Sequence, residues 1–489
     1  MRECKRIGLK YDFLRAIFKK YTNIIIGFMQ NVVFKLGEEK SFLGRLDRFR
    51  VFNPINVILL GYFILIFLGA IILMLPYSTV SGHISFTDAL FTSTSAATVT
   101  GLVVKETGTY FTFFGQMAIF FIIQIGGLGY MSLVGFFILK GGERISFEHR
   151  LLLRETINSP TVKGIRKMAK RIFLFIVGIE LIGALIFVLR WLPEYGLKAI
   201  WNGIFHSIAS FNNAGFDIIS TGNKFESLAM YTTDITINLT TAALIILGGI
   251  GFYVLSDIYR FVKGKKQQLS YQTKVVCLVT FLLLVVGTIF FFVSEYYNPT
   301  LERYGLGNKL LISFFNSVTP RTAGFSTVPV ASFSTLTLLG VIALMFIGAS
   351  PGGTGGGIKT TTIAIFWAYL KKCVQGRKNI NLISRRITEA LLDRAVAITF
   401  LGIIFIGIIS FIIAYTSKLG FLEVVFETTS AFGTVGLTMS LTPYLSVFAK
   451  YLIMLTMFSG KIGVLTLILF FVNIKKKPEV VLPSGELTT

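Results

Sequence analysis

The sequence feature that most constrains the fold is a short glycine-containing stretch that occurs four times. Its glycines, Gly101, Gly215, Gly324 and Gly436, lie 109 to 114 residues apart, and a phenylalanine stands ten positions before each of them. Repetition with a fixed internal spacing predicts four similar structural units in one chain. The four stretches are Thr98-Val99-Thr100-Gly101-Leu102, Asn212-Asn213-Ala214-Gly215-Phe216, Arg321-Thr322-Ala323-Gly324-Phe325 and Gly433-Thr434-Val435-Gly436-Leu437.

Composition places these units in a membrane. Of the 489 residues, 53% are hydrophobic and only 15% are charged, which is too apolar for an ordinary soluble protein. Apolar runs of about 20 residues, enough for a helix to cross ~30 Å of hydrocarbon, recur along the chain. We therefore predict an all-α polytopic membrane protein.

Each predicted unit consists of a membrane span, a short helix, the glycine stretch and a second span. The segment between the spans holds only about 12–14 apolar residues, too few to cross, so it should enter the membrane and return. The pattern predicts eight transmembrane helices, with four span–re-entrant pore helix–span repeats around a pseudo-four-fold pore. The predicted divisions are a basic interfacial or cytoplasmic arm at 1–52, pore repeats at 53–140, 141–262, 263–371 and 372–474, and a cytoplasmic tail at 475–489.

The apolar runs also give the expected position of each helix. First spans are predicted at 55–76, 172–192, 275–296 and 395–415, and second spans at 111–139, 231–261, 336–370 and 448–474. Short helices are predicted at 85–97, 197–210, 308–319 and 421–431. With the loops between repeats and both termini in the cytoplasm, 36 of the 47 Lys and Arg residues lie on that side. The positive-inside rule therefore predicts a multi-pass protein of the cell membrane with cytoplasmic termini.

The glycine stretches are suited to bind a cation through backbone oxygens. Irregular backbone at membrane depth is tolerated where it lines a water-filled cavity or is buried in protein. Four sets of carbonyls on one axis can replace the hydration shell of a monovalent cation, and each short helix directs the negative end of its dipole there. Because the side chains differ between copies, we expect the ligands to be mainly backbone carbonyls of the four residues that end at each glycine.

A glycine-rich run interrupts the predicted second span of the third repeat. It reads Gly348-Ala349-Ser350-Pro351-Gly352-Gly353-Thr354-Gly355-Gly356-Gly357-Ile358-Lys359, and so many glycines with a proline cannot continue a helix. The run begins 12 residues past Leu336, about 18 Å into the membrane, so we expect it just inside the glycine ring. We predict a gate there, with a passive kink as the alternative. Its expected members are Gly348, Ser350, Pro351, Gly352, Gly353, Thr354, Gly355, Gly356, Gly357 and Lys461.

Charged groups are sparse in the middle of the predicted spans, where Glu180, Lys359 and Lys461 lie. An intramembrane charge is costly and usually faces a cavity or partner, so Lys461 is expected to repel cations below the ring and to bind free carbonyls of the loop. The charge of Arg321 should be neutralised beside a cation site, with Glu427 as the expected partner. A membrane-embedded enzyme is the alternative from another class. It is disfavoured because neither the three histidines nor the three cysteines form a catalytic or metal-binding pattern.

These features resemble the Trk/Ktr/HKT superfamily of potassium transporters over about residues 55–474. Eight spans without an extra N-terminal pair are more similar to its KtrB branch. The resemblance implies potassium uptake through one carbonyl-lined selectivity filter, with the glycine loop as an intramembrane gate below it. Gly101 stands where sodium-conducting plant relatives have serine, which implies potassium selectivity. A sodium-permeating or sodium-coupled transporter of the same architecture is the alternative.

The resemblance also implies partners. It suggests a homodimer embedded in membrane lipid, with a nucleotide-binding cytoplasmic ring similar to KtrA. The basic cytoplasmic loops could dock such a partner if its surface is acidic. No cofactor is expected on this chain, potassium is the expected substrate ion and sodium a candidate activator, and no nucleic-acid partner is expected. The residues alone indicate neither the nucleotide nor the dimer.

Overall fold

The computed structural model describes residues 54–129, 147–157, 164–219 and 227–471. The chain divides into the units Met1–Val57 and Ile58–Thr489, and the fold below is that of the second unit. The predicted arm at 1–52 and the predicted tail at 475–489 lie outside the described residues.

The first two repeats contain their helices in the predicted order. In the first repeat, α1 (Pro54–Met74) is followed by α2 (Phe86–Thr98), the single-turn α3 (Thr107–Tyr110) and α4 (Phe113–Leu128). Helix α5 (Phe147–Ile157) precedes the second repeat. That repeat contains α6 (Ile165–Tyr195), α7 (Lys198–Phe211), α8 (Ile235–Gly249) and α9 (Phe252–Val262).

The third and fourth repeats follow the same order. The third contains α10 (Tyr271–Glu295), α11 (Pro299–Glu302), α12 (Leu306–Val318), α13 (Thr335–Phe346) and α14 (Thr360–Val374). Strands β1 (Asn381–Leu382) and β2 (Arg385–Arg386) then pair as a small antiparallel hairpin. The fourth contains α15 (Glu389–Ser417), α16 (Phe421–Gly433), α17 (Val447–Ile462) and α18 (Val464–Phe471). Short 3₁₀ turns lie at Pro76–Ser78, Ala229–Tyr231, Val330–Ser332 and Thr442–Tyr444.

The first span of every repeat is one continuous helix. Helices α1, α6, α10 and α15 are each long and apolar enough to cross a membrane, as the apolar runs predicted. Helix α6 begins at Ile165, before the predicted residue 172, because the helix continues through the basic residues that precede its apolar part. These four helices supply the uninterrupted crossings of the fold.

The second spans are interrupted, whereas the sequence predicted continuous spans at 231–261 and 448–474. Helices α8 and α9 meet at an angle of 103°, next to Gly251, whose φ is 101°. Helices α17 and α18 meet at Gly463, with φ of 96°. Glycine adopts such angles at little cost, and they end the helical hydrogen-bond ladder. In the first repeat α4 ends at Leu128, and the rest of its predicted span lies outside the described residues.

A serine holds each of the first three short helices to the first span of its own repeat. Ser93 Oγ donates to the Ile66 carbonyl at 2.7 Å. Gly69 leaves room for the serine side chain, because a Cβ at Gly69 would lie 2.3 Å from Ser93 Oγ. The equivalent bonds run from Ser207 to Glu180 at 2.6 Å and from Ser317 to Leu284 at 2.9 Å. These bonds fix where each short helix ends relative to its span.

The phenylalanines that mark the repeat are mostly core residues. Phe91, Phe205 and Phe426 are fully buried, but Phe314 is only half-buried and its neighbour Phe315 is buried instead. In the third repeat the helix therefore presents the adjacent phenylalanine to the core. The fixed offset in the sequence reports packing of the short helices.

Candidate ion pathway

The four repeated glycines meet in a closed ring. A Cβ built on Gly101 would lie 2.6 Å from the carbonyl oxygen of Ala214, and one on Gly436 would lie 2.1 Å from that of Thr100. Each glycine thus faces the residue that precedes a glycine of a neighbouring repeat. The other two contacts join Gly215 to the Ala323 oxygen at 2.7 Å and Gly324 to the Val435 oxygen at 2.3 Å. The repeats therefore follow one another around the ring in chain order, and the second lies opposite the fourth.

The backbone of each stretch is left-handed at two positions. The ring glycines have φ between 68° and 90°, and the residues two positions earlier have φ between 50° and 74°. Those earlier residues are Val99, Asn213, Thr322 and Thr434. A non-glycine residue there stores about 1–3 kcal/mol of strain that surrounding structure must hold. The glycines were expected to adopt this conformation, but no local propensity predicts it for valine or threonine.

Hydrogen bonds from the preceding helix hold this backbone. In the first repeat Thr100 N donates to Ser95 O at 2.8 Å, and Gly101 N donates to Ser95 Oγ at 3.0 Å. The fourth repeat makes the same two bonds at the same distances, from Val435 and Gly436 to Ser430. Because the amide donors bond to the helix end, the carbonyls of these stretches remain available to the ring.

The ring combines negative polarity with an open cavity. Helices α2, α7, α12 and α16 all end at their glycine stretches, so their negative dipole ends converge there. A cavity of about 280 Å³ is lined by the four ring glycines and by the carboxylate residues Glu106 and Asp217. This arrangement favours a cation at the ring.

The side chains of the second stretch bond to protein. Asn212 Nδ2 donates to Gln124 Oε1 at 2.7 Å, and Asn213 Nδ2 donates to Thr322 Oγ1 at 2.9 Å. The buried carboxylate of Glu180 accepts bonds from Gln124 Nε2 and from Asn212. Glu180 thus supports the start of the second stretch from behind. The Oδ1 atoms of Asn212 and Asn213 have no hydrogen-bond partner among the described residues, but they face the second spans, 2.1 Å from a Cβ built on Gly127 and 3.0 Å from one built on Gly248. This placement favours the backbone as the source of ion ligands.

The glycine-rich loop between α13 and α14 covers the other side of the ring. Gly356 N donates to Thr434 Oγ1 at 2.8 Å, and a Cβ on Gly355 would lie 2.0 Å from Thr322 Oγ1. The loop therefore touches residues that precede the ring glycines. Many residues that line the cavity follow those glycines, for example Val103. Loop and cavity thus lie on opposite sides of the ring.

The interrupted second spans supply partners for this loop. On the second-repeat side, Ser350 N donates to Gly249 O at 3.0 Å, and Phe252 N donates to Gly352 O at 2.9 Å. On the fourth-repeat side, Gly357 N donates to Gly460 O at 3.2 Å. The glycine pairs in the other second spans were visible in the sequence, but their role as partners of the loop was not.

Two lysine side chains bind carbonyls of the loop. Lys461 Nζ donates to Thr354 O, the type of contact expected for it, and Lys359 Nζ donates to Gly355 O at 2.9 Å. Within the described ranges, neither ammonium group forms an ion pair. Lys359 was not among the predicted gate residues, although its position directly after the glycine run was a signal. The loop is thus fixed by two positive charges.

Comparison with known proteins agrees with this geometry. The family described as TrkH, cation transport protein, matches residues 20–481. The Ktr system potassium uptake protein B of Bacillus subtilis is 41% identical over 442 residues, which are 90% of this chain and 97% of the relative. The chain belongs to the TrkH family. Its fold is that of a polytopic membrane protein with pore repeats, as predicted.

Other members and structures are also similar. The potassium/sodium uptake protein NtpJ of Enterococcus hirae is 37% identical, over 85% of this chain and 92% of the relative. The crystal structure of the potassium transporter TrkH from Vibrio parahaemolyticus superposes with a TM-score of 0.66, covering 87% of this chain and 86% of that one. At 19% identity, that likeness supports the fold alone.

The expected ion pair between Arg321 and Glu427 is wrong for this TrkH-family chain. Arg321 contacts Thr280 Oγ1 of α10 at 3.4 Å, while Glu427 accepts a bond from Thr442 Oγ1. In the part of the chain that is described, Arg321 forms no ion pair and its Nε has no hydrogen-bond partner. The guanidinium does turn behind the ring, as expected. Glu427 is bound within its own repeat through Oε1, while its Oε2 has no hydrogen-bond partner among the described residues.

Proposed function

We propose that this chain takes up potassium ions across the cell membrane through a single pore, with the glycine ring as its selectivity filter. The observation that carries the proposal is the closed ring of four strained, glycine-centred backbones at four helix C-termini. The name of the B. subtilis relative, a potassium uptake protein, supports the choice of ion. Potassium is the substrate of this pore and needs no resident cofactor.

In this proposal the four stretches replace the hydration shell of the ion. Backbone carbonyls of the residues that end at Gly101, Gly215, Gly324 and Gly436 coordinate potassium. The ring contacts fix the spacing of these carbonyls, because each glycine touches a carbonyl of the neighbouring repeat. A ring held at one size favours the ion that fits it over a smaller one, which would be coordinated poorly.

The loop between α13 and α14 acts as the gate. It touches Thr322 and Thr434 of the filter, so it obstructs ions without belonging to the carbonyl ring. The ammonium groups of Lys359 and Lys461 hold its carbonyls and place positive charge in the path of a cation. Opening requires that these bonds break or move together.

The finer features of the assembly follow from the same proposal. The basic loops face the cytoplasm, and both termini lie there, so the cavity opens to the outside of the cell membrane. A homodimer with a cytoplasmic nucleotide-binding ring, similar to KtrA, is the assembly that the family resemblance supports. The described basic side includes Asp257, which bonds to Lys266 and Thr273 and so orders the loop after α9.

Sodium transport is the second candidate. It is supported by the name of the E. hirae relative, which includes both potassium and sodium. Gly101 in the first filter favours potassium, because the sodium-conducting plant relatives carry serine at that position. A potassium filter should be only weakly inhibited by excess sodium, whereas in a sodium transporter sodium should compete strongly.

Growth of a potassium-uptake-deficient cell at low external potassium tests the proposal. The wild-type chain should restore growth and rubidium uptake, and a large excess of sodium should compete only weakly. Gly436→Ser should weaken this preference. The matched control is Gly407→Ser on α15, where an added Cβ meets no atom within 4 Å. Equal competition by sodium would favour the second candidate, and no uptake of either ion would contradict both.

A further inference from the structure

Two opposite repeats carry a buried polar connection that begins nine positions before the ring glycine, where the other two repeats have none among the described residues. In the second repeat, His206 stands nine positions before the ring glycine and Asp217 two positions after it. His206 Nε2 lies 2.7 Å from Asp217 Oδ1. In the fourth repeat, Glu427 holds the equivalent position before the glycine and Thr438 the one after it. Glu427 Oε1 accepts from Thr442 Oγ1, which lies 3.2 Å from Thr438 Oγ1.

Both connections are deeply buried and end at the cavity. His206 and Glu427 are each 1% exposed, and Thr442 is fully buried. Asp217 and Thr438 line the cavity on the outer side of the ring. Each connection therefore ties a short helix to the first residues beyond its filter glycine. A buried polar link of this kind costs desolvation, which makes it a poor choice for packing alone.

In the first and third repeats this helix position carries no such link among the described residues. Their outer segments are held differently, by Thr319 Oγ1, which donates to Phe325 O at 2.5 Å, and by the Asp88–Lys105 ion pair at 3.8 Å. The positions equivalent to His206 and Glu427 are Thr92 and Phe315. Thr92 Oγ1 donates to Asp88 O of its own helix at 2.8 Å, and Phe315 has no hydrogen-bonding side chain. Because the repeats follow chain order around the ring, the two links face each other across it. Links from this helix position therefore have a two-fold arrangement inside a pseudo-four-fold pore.

The partners of His206 show that its link is specific. Its Nδ1 lies 3.0 Å from Asn202 O of its own helix, and Asp217 Oδ1 also accepts from Ile219 N at 2.7 Å. The imidazole of His206 also packs against the aromatic side chains of Phe187 and Trp191 from α6 and of Phe325 from the third repeat. The imidazole therefore fixes the segment after Gly215 to α7 through one directed contact.

We propose that the His206–Asp217 and Glu427–Thr442 links are positioning elements that determine ion specificity. They hold the two opposite segments beyond the ring so that the carbonyl spacing stays that of the larger ion. Losing either link lets one side of the ring contract and admits sodium. The proposal rests on the proposed function of the ring as a potassium filter.

Four variants test it against a matched control. Thr442→Val removes the donor of the fourth-repeat link, whereas Thr442→Ser keeps the hydroxyl. His206→Phe reproduces the residue of the third repeat, and Asp217→Asn keeps an oxygen for the imidazole. Thr92→Val is the control, because its hydroxyl bonds only within its own helix. Initial rates of potassium and sodium uptake are measured in proteoliposomes, with thermal unfolding of each purified variant.

The potassium-to-sodium ratio of kcat/KM should fall about fivefold in Thr442→Val and His206→Phe, the effect of one net hydrogen bond. The ratio should stay within about twofold of wild type in Thr442→Ser, Asp217→Asn and Thr92→Val. In Asp217→Asn the rates for both ions should fall together, because the variant removes a negative charge from the cavity. A folded Thr442→Val or His206→Phe protein with the wild-type ratio overturns the proposal, as does an equal fall in Thr92→Val. If Thr442→Val does not fold, the test rests on Thr442→Ser, and if His206→Phe does not fold, it rests on Asp217→Asn. A fivefold fall in the ratio of either folded conservative variant would contradict the proposed link. If Gly436→Ser also keeps the wild-type potassium-to-sodium ratio, the proposed role of the glycine ring as the filter is overturned instead.

Discussion

Serine substitutions at the four ring glycines should impair selectivity in a graded order that the structure sets. An added Cβ would lie 2.1 Å from the facing carbonyl oxygen at Gly436, 2.3 Å at Gly324, 2.6 Å at Gly101 and 2.7 Å at Gly215. Each of these distances is well inside ordinary van der Waals contact. Every substitution therefore displaces a carbonyl, and Gly436→Ser displaces the Thr100 carbonyl furthest.

Two terms give the size of the effect. A residue with a Cβ in the left-handed region costs roughly 1–2 kcal/mol. Because φ is 90° at Gly436 and 68° at Gly215, the cost at Gly436 lies nearer the upper end of that range. The displaced carbonyl then weakens coordination of the larger ion. If about 1.4 kcal/mol of discrimination is lost, the potassium-to-sodium ratio falls about tenfold. We expect a fall of that order in Gly436→Ser, a smaller one in Gly101→Ser and the smallest in Gly215→Ser.

Uptake of potassium and sodium by cells or proteoliposomes measures this order directly. Gly407→Ser serves as the control, since its Cβ would meet no atom within 4 Å. Expression and thermal unfolding must be matched, so that a lower ratio reports selectivity instead of misfolding. An unchanged potassium-to-sodium ratio in Gly101→Ser would refute backbone coordination at that position. A larger loss in Gly215→Ser than in Gly436→Ser would refute the argument from ring contacts.

Three further outcomes follow from the loop and the cytoplasmic side. Lys461→Ala should raise potassium flux with selectivity preserved, because the loop loses a charge-assisted bond of about 1.5–3 kcal/mol; unchanged flux in liposomes would contradict this. Deleting Gly352 and Gly353 should raise flux more strongly, and a normally expressed protein with equal or lower flux would leave the loop as a kink. Asp257→Ala should lower stability by about 2–3 kcal/mol in thermal unfolding, since it loses bonds from Lys266 and Ser270, whereas exposed Asp393→Ala should not.

The repeats and the first spans could be predicted from sequence because their signals are local. A run of apolar residues determines whether a helix can cross, and the fixed distance from phenylalanine to glycine marks the core-facing side of the short helix in the first, second and fourth repeats. The family resemblance of the glycine stretches agreed with these signals. The limits of α1 and α10 accordingly lie close to the predicted spans at 55–76 and 275–296.

The breaks in the second spans of the second and fourth repeats were not predicted, because they depend on tertiary contacts. A glycine pair inside an apolar run lowers helix stability by only about 1 kcal/mol per residue, which leaves a continuous helix possible. The pair at Gly248 and Gly249 breaks the span where it bonds with the loop, through Ser350 N and Thr354 N. Those partners lie about a hundred residues away in sequence, so only the folded chain shows the cause.

Charge pairing failed as a prediction for a related reason. A buried guanidinium beside a filter suggests a nearby carboxylate, and Glu427 was the candidate because it lies on the short helix of the next repeat. The four-fold repeat, however, gives every short helix the same orientation toward its own outer segment. Glu427 accordingly faces Thr442, as His206 faces Asp217, and Arg321 instead contacts Thr280 of the first span of its own repeat. In both cases the partner lies within the same repeat, so a pair inferred from opposite charge between repeats missed the contacts that form.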